Sequence, residues 1–301
     1  MLPARWIISC IALSALAVTF LMARAELTIG ISGVTGGAIL FGMGSALALH
    51  YRFRRPRRTW QRVIRDAIEY LLLFASVCLI GALASYAVAA TSSGFADRSL
   101  AMLDHMMGFD WPAWYGFEVD HPRLEPLTRA AYQSIFLTPA LLLGYFAVTG
   151  RKAEARRFIA AFWLAALVTL LLFMRYPAEG PLAFLWHGPI PYMPESAMDQ
   201  VALIPALRLH AVHHVPLLGL RGLVGAPSFH TVSAILYIAA AWPVARLRWP
   251  VLALNLAMLL AVPVEGTHYL ADMIAGVLVA IGALVVVARL AALPSAAAPE
   301  R

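Results

Sequence analysis

Residues 228–290 read SFHTVSAILYIAAAWPVARLRWPVLALNLAMLLAVPVEGTHYLADMIAGVLVAIGALVVVARL. Three apolar runs follow one another here, Ser228 to Ala245, Val251 to Val264 and Asp272 to Leu290, broken by a turn with Arg246 and Arg248 and by a second turn at Glu265-Gly266-Thr267-His268. The runs are continuous rather than alternating, so they read as helices crossing a bilayer and not as strands. Polar side chains where such runs meet water are costly unless they pair or react. Ser228, His230, His268 and Asp272 are therefore functional candidates by default.

Working outward, the rest of the chain has the same character: 301 residues, 61% hydrophobic and only 13% charged, far from the balance of a soluble domain. Further apolar segments run from Trp6 to Met22, Thr28 to His50, Ala67 to Ala90, Ala131 to Thr149 and Phe158 to Met174. The reading is an all-α integral membrane protein of about eight transmembrane helices, each of about 20 residues. The segment 251–264 is short and either continues through Glu265-Gly266 or tilts against its neighbours.

Basic connectors orient the bundle, because Lys and Arg stay on the cytoplasmic side. Arg52, Arg54, Arg55, Arg57, Arg58, Arg62 and Arg65 follow the second run; Arg151, Lys152, Arg156 and Arg157 follow the fourth; Arg246 and Arg248 follow the sixth. This alternation predicts a multi-pass protein of a plasma (bacterial-type inner) membrane with both termini cytoplasmic. It puts connectors 91–130 and 175–227, the turn at 266–268 and both polar motifs on the outer face. The net charge of +7 is then topological and attracts anionic headgroups, and no nucleic-acid partner is expected. Cys10 and Cys78 each fall inside a run and imply neither disulfide nor metal. Ala23-Arg24-Ala25 has the small-x-small form of a cleavage site, but the long apolar run before it favours a retained helix. Gly30, Gly33, Gly36, Gly37, Gly42 and Gly44 suit helix packing, with no strand-turn-helix context for a nucleotide.

The chemistry follows from the motifs. Pro227 then Ser228 marks a helix start, with Ser228 as N-cap and His230 in a first turn whose free amides suit an anion. His268 and Asp272, four residues apart, share one helix face, and the carboxylate can hold the imidazole in one tautomer. Two histidines and an orienting aspartate at an anion-binding helix end fit phosphoryl transfer through a phosphohistidine, one imidazole as nucleophile and the other as general acid. A contrasting reading is a transporter or other non-enzymatic membrane protein in which the same groups relay protons or ions. The clustering at one interface, without paired broken helices, speaks against it.

Pro-Ser-Phe-His at 227–230 and Gly-Thr-His-Tyr-Leu-Ala-Asp-Met-Ile-Ala-Gly at 266–276 resemble the second and third signature motifs of the membrane-bound type 2 phosphatidic acid phosphatase superfamily. The resemblance implies a six-helix core, an outward-facing site, catalysis without metal or other cofactor, and a lipid phosphate or phosphodiester lipid as substrate. It makes His268 the nucleophile, Asp272 its partner, His230 the acid that protonates the leaving oxygen, and Ser228 a phosphate contact. Residues 67–291 would form this core, 1–66 an added two-helix hairpin with its basic connector, and 292–301 a tail.

Two of the superfamily's phosphate clamps are absent. Lys152 is the only lysine and lies on the wrong side, and the arginine expected six residues before the nucleophile is Val262. The pattern is similar to the branch containing inositol phosphorylceramide synthases, whose first motif is proline-rich. Tyr176-Pro177-Ala178-Glu179-Gly180-Pro181 stands in the corresponding place, which keeps phosphotransferase open beside phosphatase. A phosphate taken from water still needs cations. Arg208, in an apolar setting, ranks first among candidates, ahead of Arg221 and Arg175. His210, His213 and His214 include a helical i, i+4 pair, but Pro205 and Pro216 bracket too short a segment for a zinc site. The connector holding Asp104, His105, Phe109, Asp110, Trp111, Trp114, Tyr115 and Phe117 reads as an amphipathic element at the headgroup level.

Overall fold

A computed structural model describes residues 3–196 and 199–292, so that nearly all of the expected tail, 292–301, lies outside the described residues. The described residues form twelve helices and one two-stranded sheet. The all-α membrane-type fold read from the sequence is what the chain adopts. Helices α1 (Ala4–Arg24), α2 (Gly33–Arg52), α3 (Thr59–Thr91), α6 (Glu125–Thr149), α7 (Lys152–Arg175), α11 (Arg248–Glu265) and α12 (Leu270–Ala292) are long and apolar enough to cross a membrane. The remaining apolar run makes the shorter α10 (Phe229–Ala241). At 1.5 Å per residue it is about 20 Å long, less than the roughly 30 Å of hydrocarbon.

One expectation needs correction. Thr28–Gly30 is not the start of a helix but strand β1, paired in parallel with β2 (His214–Pro216) in the register Thr28↔His214. The helix starts only at Gly33, where the Ser32 side chain accepts the Thr35 N–H. The histidine trio is not helical, because α9 (Asp199–Arg208) ends before it and His210 has a positive φ of 53°. His214 Nδ1 meets Thr28 Oγ1 at 2.7 Å and His213 Nδ1 meets the Glu26 carbonyl at 3.3 Å.

The main core lies where α3, α6, α7, α10 and α12 converge, around Tyr70, Leu142, Phe146, Ile159, Phe162 and Tyr237. Phe162 stacks with Tyr237 and meets Phe229 edge-on. Burial of each such side chain is worth about 2 kcal/mol in water; inside a bilayer the gain is close packing rather than escape from water. The basic connectors meet at the end of the bundle away from the motifs. There Arg156 is bound by Glu69 at 2.6 Å, and Lys152 lies 3.4 Å from Glu69. Helix α1 docks on α3 and α7, with Trp163 donating to Ser14 at 3.0 Å, whereas α2 has no buried residue.

The connector between α3 and α6 is partly packing rather than a headgroup-level element. It folds into α4 (Asp97–Met106) and α5 (Trp111–Asp120). Trp111 and Tyr115 are fully buried and stacked, with Trp114 and Phe117 left exposed. Trp111 Nε1 donates at 2.7 Å to the carbonyl of Pro263, inside α11.

Candidate functional site

Ser228 caps α10 as the sequence leads one to expect. Its Oγ accepts the Thr231 N–H and hydroxyl at 3.4 and 3.1 Å, and its own N–H donates at 3.3 Å to the backbone carbonyl of Asp272. The beginnings of α10 and α12 are thereby joined backbone to backbone. Gly276 keeps them close, since a Cβ there would stand 2.7 Å from the Ser228 carbonyl oxygen.

His268 lies in the turn between α11 and α12, after Thr267, whose φ of 48° is left-handed and uncommon for a β-branched residue. Its Nδ1 lies 3.0 Å from Oδ1 of Asp272, both side chains being buried. The ring N–H is not aimed straight at that oxygen, and neither atom has another partner. The other carboxylate oxygen of Asp272 accepts the Tyr269 N–H at 2.9 Å. With Nδ1 turned to Asp272, Nε2 is the nitrogen left free. His230 comes to the same place from the first turn of α10 and stacks on Tyr132, ring centroids 3.9 Å apart and planes 17° from parallel. The Tyr132 hydroxyl meets Ser196 Oγ at 3.0 Å.

Both histidines line a cavity of about 520 Å³. Ser228 and Asp272 stand behind them and do not line it. Phe74, Val77, Ile135, Phe136, Phe162 and Tyr237 form its apolar wall, while Glu195, Ser196, Asp199, Gln200 and Arg221 close its polar end. Of the three candidate arginines, Arg221 alone lines the cavity. It donates to Asp199 Oδ2 at 3.1 Å and to the Glu195 carbonyl at 3.2 Å. Arg208 is occupied elsewhere. Its guanidinium bonds Ser92 Oγ and the Gly94 carbonyl and lies 4.5 Å from the centre of the Phe95 ring, and burial lowers its pKa. Arg175 is exposed, against Tyr176.

The proline-rich segment touches both motif loops. A Cβ on Gly180, whose φ is 98°, would lie 2.8 Å from the Thr267 carbonyl and hydroxyl oxygens, and one on Gly225 would run into the Ala178 carbonyl oxygen. Val262, standing where an arginine is usual in the resembled motif, is fully buried among Tyr132, Ala234, Met258 and Met273. No room exists there for a guanidinium.

Several supporting carboxylates escaped the sequence reading. Asp97 accepts the Glu179 and Gly180 N–H groups at 3.0 and 2.9 Å and the Tyr269 hydroxyl at 2.9 Å. Asp104 caps α12 from another helix, accepting the Leu270 and Ala271 N–H groups at 2.9 and 2.8 Å. Burial raises its carboxyl pKa even so. Glu265, three residues before His268 and fully buried, accepts the Tyr192 hydroxyl, the Glu195 N–H at 3.0 Å and the Thr128 hydroxyl at 3.2 Å. Its own carbonyl accepts the Ser196 N–H at 3.0 Å. A carboxylate in an apolar-helix protein is a recognisable signal, but its donors come from segments remote in sequence.

Two histidines, one backed by a carboxylate, at the polar end of an apolar cavity form an arrangement suited to phosphoryl transfer. Comparison with known proteins agrees in kind. A family model described as the PAP2 superfamily matches residues 98–286, a stretch that contains both motifs, the proline-rich segment and the carboxylates Asp104, Glu265 and Asp272. Neither a curated protein nor a solved structure matches the chain. The superfamily points to phosphatase or phosphotransferase activity and, with the long apolar helices, to a multi-pass membrane protein. By the extent of that match the chain belongs to the PAP2 superfamily.

Proposed function

We propose that the chain is a membrane phosphatase or phosphotransferase that works on a lipid phosphate at the outer face, without metal, through a phosphohistidine. The observation that carries this reading is the convergence of His268, backed by Asp272 at 3.0 Å, and His230 on one cavity whose other wall is apolar. In this reading Nε2 of His268 attacks phosphorus. Asp272 stabilises the positive charge that develops on the ring, and His230 protonates the leaving oxygen and then deprotonates the incoming water or alcohol. Arg221 and the amide end of α10 hold the phosphate oxygens. The role of Ser228 is to set that helix end, and any phosphate contact passes through its backbone neighbours. The short α10 and its recessed first turn suit a phosphate that stays attached to a lipid.

The proline-rich segment packed on Thr267 and Gly225 supports placing the chain in the branch that resembles inositol phosphorylceramide synthase. The basic residues gathered at the opposite end of the bundle support the outer-face orientation. The test is purified protein offered a panel of lipid phosphates in the presence of a chelator. Phosphate release or headgroup transfer, and an acid-labile labelled phosphoenzyme, are expected for the native chain and are expected to vanish in His268→Ala. Turnover that survives His268→Ala would remove the nucleophile from this scheme.

A further inference from the structure

Helix α4 carries its charges inward and its apolar side chains outward. Asp97 and Asp104 are buried. Asp104 accepts the Leu270 and Ala271 N–H groups that open α12, and Asp97 accepts the Tyr269 hydroxyl and the Gly180 N–H. The outward side presents Met102, Leu103 and Met106, with Met107 at the C-cap, and Met106 is 74% exposed. Met102 and Met106 stand four positions apart, as do Leu103 and Met107, so the four make one stripe. The exposed Arg98 and His105, seven positions apart, share a different flank. A helix on a water-facing surface is built the other way round, with its apolar stripe toward the core. A contiguous apolar patch left outside marks a membrane or a partner.

The stripe is continuous with a surface that faces lipid. Leu270, Ile274 and Leu278 stand at i, i+4 and i+8 on α12, a helix long and apolar enough to cross a membrane, and Ile274 and Leu278 are exposed. Ile274 lies about 6 Å along the axis from Leu270, whose N–H is bound by Asp104. Acyl chains lying along that row therefore end against α4. The neighbouring helix repeats the arrangement. There α5 packs on α11, whose Leu256 and Leu260 are exposed, and α5 turns Trp114 and Phe117 outward. Tryptophan suits the level at which hydrocarbon gives way to headgroups. Arg98 and His105 complement the phosphates of that layer, and unbranched methionines adapt to fluid chains.

We propose that α4 is an interfacial helix whose outward stripe docks into the lipid leaflet at the site's end of the bundle. Met102, Leu103, Met106 and Met107 sit among the upper acyl chains, and Arg98 and His105 lie level with the headgroups. By seating α4, the leaflet holds Asp104 and Asp97 against the start of α12 and the turn that carries His268. This surface lies outside the cavity, and its docking does not depend on the reaction performed there.

The experiment spin-labels Arg98→Cys, Met102→Cys, His105→Cys and Met106→Cys one at a time, in the full chain with both native cysteines replaced, Cys10→Ala and Cys78→Ala. Each is reconstituted into phosphatidylcholine vesicles, and access of oxygen and of a water-soluble nickel chelate to the label is measured. Labels on Met102→Cys and Met106→Cys are expected to lie about 5–10 Å into the boundary of headgroups and acyl chains, rich in oxygen and poor in nickel. Those on Arg98→Cys and His105→Cys are expected to meet nickel several-fold more often. Equal nickel access at all four positions would overturn the proposal in favour of a stripe facing water. Exclusion of both reagents from Met102→Cys and Met106→Cys would overturn it in favour of a second copy or another protein covering the stripe. The hold on α12 is read by hydrogen exchange in the same vesicles. Met102→Glu with Met106→Glu is expected to speed exchange of the Leu270 and Ala271 amides by about tenfold, whereas Met102→Leu with Met106→Leu is expected to leave it native. Native exchange in the glutamate pair would overturn the link between leaflet and α12.

Discussion

Replacing Glu265 tests whether a carboxylate that touches no substrate sets the geometry of the site. Its oxygens serve three donors, the hydroxyls of Tyr192 and Thr128 and the Glu195 N–H, in a position with no solvent access. Glu265→Ala strands the Tyr192 hydroxyl and the Glu195 N–H, while the Thr128 hydroxyl keeps Glu118 as acceptor; at about 1–3 kcal/mol for each donor that finds no water, a total of about 2–5 kcal/mol is expected. Glu265→Gln keeps one acceptor oxygen but turns an NH₂ toward a donor, so about 1–3 kcal/mol is expected.

The effect on catalysis follows from what hangs on this side chain. Segment 192–196 carries Ser196, which meets the hydroxyl of the tyrosine stacked on His230, and the Glu195 carbonyl, which meets Arg221. Loosening it is expected to lower kcat through His230 and to raise KM through Arg221, each by about tenfold. The assay is thermal unfolding in detergent alongside steady-state kinetics, with Gln falling between native and Ala in both. A Glu265→Ala protein with native unfolding temperature and native kcat and KM would refute the reasoning.

Gly180→Ala is expected to cost at least tenfold in turnover and about 1–3 kcal/mol in stability, because φ 98° and the 2.8 Å approach to Thr267 leave no place for a Cβ beside the His268 turn; kinetics together with unfolding measures both. Burial raises the Glu118 carboxyl pKa, with Glu265 and Glu125 adding to the rise and the Thr128 hydroxyl opposing it. The folded chain therefore keeps this proton to higher pH than the unfolded chain, and stability falls as pH rises from about 4.3 to the folded value. Glu118→Gln is expected to flatten that part of the unfolding-temperature profile.

The helices were legible because apolar run length is a local property, and so were His230, His268 and Asp272, whose spacing and position at helix ends are local as well. What escaped the reading is tertiary. Asp104 looks like one polar residue on an amphipathic helix, and only the approach of α12 makes it a cap for Leu270 and Ala271. Glu265 looks like a turn residue, since its donors lie some 70 or more positions away. The argument that Arg208 needs a partner in an apolar setting holds, but Ser92, Gly94 and Phe95 within the protein supply it. β1 was hidden because three residues of strand pattern carry no signal beside a glycine-rich apolar run.

That small sheet has a consequence for how the molecule is made. Thr28 and His214 are neighbours across β1 and β2 yet stand 186 positions apart. Ribosomes emit roughly 5–20 residues per second, so the first strand waits on the order of ten seconds or more for its partner. Contacts of such long sequence separation form late. The segment after β2, which carries Arg221 and is fastened by the Leu223 N–H to Ser85 at 3.0 Å, cannot take its place earlier. The cavity that His230 and His268 line is thus completed only at the end of synthesis, after every helix that precedes β2 has been made.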